Sequence, residues 1–188
     1  MIYPVFKRLV DFLLSIILLF LFSPLYLLLS VIIFLQDFGN PIFKQKRVGL
    51  NGNSFMFYKF RTMPLNNPNV ESYQRHLIKI TPFGKLIRRT NLDELPQFWN
   101  VLRGDMSFIG PRPPIPSQVN LIDLRKSNGS LMIKPGLTGW AQVNSYDNMP
   151  EEHKARFDGE YAKRISLKMD LLILLKTVVY FTKKPPTY

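Results

Sequence analysis

From Asp11 to Asp37 apolar positions run almost unbroken, interrupted by Ser15, Ser23, Pro24, Ser30 and Gln36. At roughly 24 residues the run is long enough to cross a bilayer once as a helix. It is too long for a secretory signal, and no small-residue cleavage site follows it. Pro24 lies mid-run. It offers no N–H to the carbonyl of Phe20 and its ring crowds that turn, so the helix is expected to kink or break there. The Ser23 hydroxyl can bond back to a carbonyl three or four residues earlier and relieve part of the loss. Both flanks are basic, with Lys7 and Arg8 before the run and Lys44, Lys46 and Arg47 after it. The positive-inside preference wants both in the cytoplasm. A helix that enters, bends at Ser23-Pro24 and returns satisfies both flanks; a kinked spanning helix is the other arrangement. On these residues alone the two stand level.

After Pro41 the period changes. Pro41 to Val48 and Ser54 to Arg61 read as strands around a turn containing Asn51-Gly52, a hairpin signal. On the second strand Phe55, Phe57, Lys59 and Arg61 share one face, and Met56, Tyr58 and Phe60 the other. Met63 to Gln74, rich in Asn and Pro, reads as a mobile loop. Leu95, Phe98, Trp99 and Leu102 then recur at helical spacing. Pro96 fits only the first turn of that helix, so its start is expected near Asp93. Gly110-Pro-Arg-Pro-Pro114 is a stiff, polyproline-like segment that presents Arg112 at low entropic cost. Pro135 to Trp140 is a turn cluster beside an expected strand, Ala141 to Val143. Ser166 to Tyr180 is too short to span comfortably; it suits a helix lying in a membrane interface or a core helix of the domain. The fold class expected is α+β: a membrane segment over residues 1–40, then a small mixed α/β domain over 41–188.

Composition narrows the partners. In 188 residues, hydrophobic types make up 46% and the formal net charge is +12. That excludes a disordered basic tail and points to an anionic partner: nucleic acid, an acidic membrane surface or phosphate-rich substrates. There is no cysteine, so disulfides and thiolate metal sites are excluded. His76 and His153 lie far apart and read as surface residues.

The candidate chemistry centres on Asp93 and Glu94 at the expected helix start, where unpaired N–H groups and the positive dipole end attract anions. Singly they read as an N-cap and a dipole partner. Together, two adjacent carboxylates can hold a hard cation such as Mg²⁺, which prefers oxygen ligands and usually also contacts substrate phosphates. Lys59, Arg61, Arg88 and Arg112 supply cations close in sequence to the dyad or to candidate turns. Each alone reads as solvated surface charge.

Tyr58-Lys-Phe-Arg-Thr-Met63, Leu92-Asp-Glu-Leu-Pro-Gln97, Asn100 to Ser107, Gly110-Pro-Arg-Pro113 and Pro135 to Val143 together resemble the signature of the bacterial sugar transferases, the monotopic phosphoglycosyl transferases. The resemblance runs from Lys7 to about Thr177 and is to the small members. It implies a re-entrant helix bent at Ser23-Pro24, in the bacterial inner membrane, with the catalytic domain on the cytoplasmic face. It implies Mg²⁺ as cofactor and two substrates, a UDP-sugar and undecaprenyl phosphate. Carried onto this chain, Asp93 is the nucleophile that takes the phospho-sugar and releases UMP, and Glu94 is a metal ligand with Asp93. Lys59, Arg61, Arg88, Pro111, Arg112, Pro113 and Gln142 are the expected substrate-binding residues. Where members usually continue Asn-Gly after Ala-Gln-Val, this chain has Asn144-Ser145-Tyr146, so sugar preference does not carry over. Asp158, Tyr161 and Asp170 match the C-terminal pattern without assigned roles. The competing reading is a basic, membrane-anchored binding protein for acidic lipid or nucleic acid. It leaves Asp93-Glu94 beside Pro96 unexplained, and no nucleic-acid motif is present. Sugar, pathway and oligomeric state are left open.

Overall fold

The computed structural model describes residues 2–65, 79–146 and 148–182. The apolar run forms two helices, α1 (Ile2–Leu21) and α2 (Ser23–Asp37). They are bent by 61° at the break, one residue before the Ser-Pro pair. The physical cause is the expected one. Pro24 sits at the start of α2, where its missing donor costs nothing, and Ser23 Oγ donates to the Phe20 carbonyl at 2.8 Å. No single helix among the described residues is long and apolar enough to cross a membrane, although the bent pair together passes that test.

The hairpin forms as its pattern predicts. β1 (Ile42–Val48) pairs antiparallel with β2 (Ser54–Phe60), Ile42 opposite Phe60 and Val48 opposite Ser54. Asn51 (φ 56°) and Gly52 (φ 81°) supply the left-handed turn. The expected loop Met63 to Gln74 lies, from residue 66 onward, outside the described residues, as does His76. Next come α3 (Pro82–Arg89), a single 3-10 turn (Leu92–Glu94) and α4 (Gln97–Arg103). A short parallel pair follows, β3 (Ser107–Ile109) with β4 (Gly136–Thr138), split by α5 (Val119–Ser127). The chain then forms α6 (Trp140–Val143), α7 (Glu151–Lys163) and α8 (Leu167–Thr182).

Two expectations are corrected. The α-helix starts at Gln97, not near Asp93. Pro96 cannot donate to the Leu92 carbonyl, which takes the Leu95 N–H at 3.3 Å instead, so the chain around the dyad winds as a tighter 3-10 turn. Ala141 to Val143 is helical. The strand is Gly136–Thr138, because Gly136 and Gly139 let the backbone pass against Gly110: a Cβ on Gly136 would lie 2.0 Å from Gly110 N, and one on Gly139 2.1 Å from Gly110 O.

The N-terminal helices are packed into the domain. Leu29 and Ile33 of α2 form one buried cluster with Phe60, Ile87 and Leu95, joined by Leu92 and Phe98. On α1, Arg8 donates to the carbonyls of Val101 and Leu102 at 2.7 and 2.9 Å, capping the C-terminal end of α4 where a cation is favoured. Asp11, buried, accepts the Phe108 N–H. Asp170 of α8 accepts from Tyr3 and Lys7, both at 2.6 Å, and from Tyr161 at 2.8 Å. In α8, Met169 and Ile173 face the core while Leu167, Leu171, Leu175 and Val178 stay exposed. The core-helix reading of this segment therefore holds for one face, and the other face is exposed and apolar. Val5, Phe20, Leu21, Leu27 and Leu35 extend the exposed apolar surface over α1 and α2.

Candidate active site

The dyad rides on a turn that the sequence holds from three sides. Thr81 caps α3, its Oγ1 accepting the Gly84 N–H at 2.9 Å, with Pro82 following. Gly84 is required here: a Cβ would sit 2.2 Å from the Thr62 carbonyl oxygen, so α3 presses directly on the end of β2. Arg88 lies one helical turn further on the same face and donates through Nε to Thr62 Oγ1 at 2.8 Å. Asn91 then takes the left-handed region (φ 54°), as Asn tolerates best after Gly. The turn that follows points Leu92 and Leu95 into the core and leaves Asp93 and Glu94 facing the cations.

Asp93 is buried, and no described side chain hydrogen-bonds its carboxylate. Burial raises its pKa to about 6, helped by the neighbouring Glu94 and opposed by the charges of Lys59, Arg88 and Arg112. Lys59, on β2, is itself pushed down to about 8 by burial and by Arg88 and Arg112; its ammonium lies 5.4 Å from the Phe43 ring centroid. Burial also lowers the pKa of Arg88, which Asp93 counters. Glu94 pairs with Arg112 at 2.8 Å.

Arg112 is held by its backbone. Between Gly110 and Ile115 only Arg112 carries an N–H, so the segment offers chiefly acceptors. Four successive carbonyls are taken by four separate donors. Pro111 O accepts from Gly136 N (2.9 Å) and Arg112 O from Arg125 Nη1 (2.8 Å). Pro113 O accepts from Arg47 Nη1 (3.0 Å) and Pro114 O from Val48 N (2.9 Å). Arg125 is in turn fixed by buried Asp158 at 2.6 and 2.9 Å. Asp158 thus positions the segment carrying Arg112, and Asp170 with Tyr161 ties α1, α7 and α8 together.

Lys59, Arg88 and Arg112 therefore surround the dyad. Arg61 lies elsewhere: its two terminal nitrogens pair with Asp37 at 2.5 Å and Nε donates to Asn40 O, closing α2 onto the hairpin. Pro111 and Pro113 act through their carbonyls. Gln142 lies behind the Gly110–Gly139 contact, 2.7 Å from where a Gly139 Cβ would be. Arg47 and Arg125 are positioning residues the sequence reading missed. Nothing local marks Arg125. Arg47 sits in a basic strand that reads equally as a membrane flank. Asn100 was missed in this role too: its buried side chain bonds Met56 O and Tyr58 N, fixing α4 to β2.

Among the described residues no group of three or more His, Asp or Glu gathers as a metal site. Two adjacent carboxylates, one of them buried without a hydrogen-bond partner, fit a hard cation that takes its remaining ligands from phosphate and water.

The pattern that defines the bacterial sugar transferase family matches residues 2–184, and this chain belongs to that family. It is 41% identical over 184 residues to the UDP-N-acetylgalactosamine-undecaprenyl-phosphate N-acetylgalactosaminephosphotransferase of Aeromonas hydrophila, covering 94% of this chain and 44% of that protein. Against the sugar transferase EpsL of Bacillus subtilis the identity is 38% over 175 residues, 93% of this chain and 86% of EpsL. Against the UDP-glucose:undecaprenyl-phosphate glucose-1-phosphate transferase of Xanthomonas campestris it is 37% over 188 residues, 94% of this chain and 39% of that protein. The chain thus spans less than half the length of the Aeromonas and Xanthomonas proteins.

Proposed function

We propose that this protein transfers a sugar 1-phosphate from a UDP-sugar to undecaprenyl phosphate. The observation that carries the reading is Asp93: a buried carboxylate without a hydrogen-bond partner among the described residues, held on a rigid turn and faced by Lys59, Arg88 and Arg112. An ionised carboxylate needs no base to act as a nucleophile. Asp93 attacks the β-phosphorus, the bond to the UMP oxygen breaks, and the phospho-sugar stays on the carboxylate. The lipid phosphate then attacks the same phosphorus, gives the lipid diphosphosugar and frees Asp93. Lys59, Arg88 and Arg112 neutralise the pyrophosphate charge, and positioning does the rest. Asp93 and Glu94 would hold Mg²⁺, which supplies further charge neutralisation when bound.

In the same proposal α1 and α2 form a re-entrant pair in the inner membrane, with the domain on the cytoplasmic face. The 61° bend and the exposed apolar side chains of α1, α2 and α8 support it. The test is UMP release from a UDP-sugar panel with undecaprenyl phosphate and Mg²⁺. Wild type is expected to turn over, and Asp93→Asn and Glu94→Gln to lose turnover while remaining folded. Tight lipid binding without UMP release from any UDP-sugar would leave the membrane-anchored binder as the function.

A further inference from the structure

A mostly polar cleft of about 440 Å³ opens between β1, the entry to α5 and the start of α7, a size usual for small-molecule sites. Among the described residues it is lined by Gln45 and Arg47 of β1, by Ile115 and Ser117 to Asn120 at the entry to α5, and by Glu151 of α7, with nothing from α1, α2 or α8. Gln45 and Arg47, two apart on a strand, share one face. Gln118 Nε2 and Asn120 Nδ2 both donate to the Glu151 carboxylate, at 3.3 and 3.0 Å, so the wall is braced in advance. Hydrogen-bonding capacity remains: Gln118 Nε2 keeps a second hydrogen, Asn120, whose second hydrogen reaches Glu152 Oε1 at 3.5 Å, keeps its carbonyl oxygen, and Glu151 keeps lone pairs. The Gln45 amide bonds to no described residue. Arg47 joins the cleft to the dyad. Its Nη1 holds Pro113 O, its Nε is buried without a partner, and the charges of Arg112 and Glu94 act on it.

We propose that this cleft is the sugar subsite of the transferase, with Gln45, Asn120 and Glu151 reading ring hydroxyl and acylamino substituents and Arg47 at the boundary with the diphosphate. This rests on the transfer reaction proposed above. The nucleoside is the poorer occupant. Among the described residues no aromatic ring lines the cleft, and base recognition leans on stacking. A polyhydroxylated ring instead needs groups that both donate and accept. Such a wall discriminates, because an analogue lacking one substituent leaves a polar partner unsatisfied.

The experiment uses Asp93→Asn protein with Mg²⁺, so that binding is read without turnover. UMP, UDP-glucose, UDP-galactose and their two N-acetylhexosamine counterparts are titrated by calorimetry, with Gln45→Ala and Asn120→Ala added separately. The expected result is a loss of roughly 10-fold for at least one UDP-sugar, a changed ratio between hexose and N-acetylhexosamine donors, and unaltered UMP affinity. Equal losses for UMP and every UDP-sugar would assign the cleft to the nucleoside and overturn the proposal, as would an unchanged ratio among sugars. If an alanine variant does not fold, Gln45→Asn and Asn120→Ser carry the same comparison. Failure of the transferase reading shows separately, as wild type that binds UDP-sugars but releases no UMP.

Discussion

Asp93 carries a cost in stability that the role proposed for it explains. Its pKa in the fold, about 6, lies above the ordinary 3.8. The fold therefore prefers the protonated acid. That stability is full below about pH 4 and is lost as pH rises through about 6. An asparagine amide in its place cannot ionise, so with divalent cations chelated Asp93→Asn should be more stable than wild type at pH 7.5 by about 1–3 kcal/mol. The gain should vanish at pH 4. Chemical denaturation at the two pH values measures it, and an equal gain at both would mean that the charge is not the cause. Arg112 is half exposed, so Arg112→Ala should leave the fold intact and lower kcat/KM for a UDP-sugar by about 100- to 1,000-fold. Arg112→Lys should recover little, because an ammonium lacks the planar fork that meets carboxylate and phosphate together. Unchanged kinetics in Arg112→Ala would reduce it to a partner of Glu94. At this scale the sequence was informative: it named Lys59, Arg88 and Arg112, whose charges the structure brings to bear on Asp93 beside Glu94, but the helix expected to start near Asp93 starts at Gln97, after Pro96. Arg61 shows the limit. Its place in the Tyr58–Met63 motif says nothing of Asp37, which reaches it from the far end of α2.

Among elements, the segment Gly110–Pro114 shows how a loop without internal hydrogen bonds becomes rigid. Its carbonyls are bound from β1, α5 and β4, and the α5 donor depends on Asp158. Asp158→Asn leaves Arg125 buried with a neutral partner and should cost about 3–5 kcal/mol. The double variant Arg125→Met, Asp158→Leu removes both charges and should recover much of that stability, since apolar replacements of buried pairs are often neutral. Activity should stay low in the double variant, because the Arg112 carbonyl has lost its donor. Thermal unfolding beside UMP release separates the effects: a stable, fully active double variant would show that the pair serves folding alone. The hairpin, the bend and the existence of α4, though not its first residue, were legible because local chemistry sets them: Asn-Gly, Ser-Pro and a period of 3.6. The short parallel pair was not. Its strands of three residues are set by Gly110, Gly136 and Gly139 meeting backbone to backbone, and a contact between glycines far apart in sequence leaves no periodic trace.

For the molecule as a whole, the re-entrant arrangement proposed above raises the question of what would keep both ends of the bent helix pair on one side of a membrane. Proline in a helix interior costs about 3 kcal/mol, and alanine would remove that penalty. From the apolar run alone, Pro24→Ala with Ser23→Ala would therefore be expected to give a mixture of bent and spanning chains. The tertiary ties change the balance. Tyr3 and Lys7 bind Asp170, Arg8 binds two α4 carbonyls, and Asp11 binds Phe108 N. Each bond to a charged group is worth about 1.5–3 kcal/mol, so together they outweigh a straighter α1–α2. Spanning would also carry Lys7 and Arg8 out of the cytoplasm. The double variant should thus keep its N-terminus cytoplasmic. Adding Arg8→Ala and Asp170→Ala should release part of the population to the periplasmic side. The protein has no cysteine, so Ile2→Cys with a membrane-impermeant maleimide reads the outcome directly. Periplasmic labelling of otherwise wild-type chain would sink the re-entrant arrangement. Periplasmic labelling that appears already in Ser23→Ala, Pro24→Ala would show that the bend holds the topology, and not the ties from α1 to α4, β3 and α8.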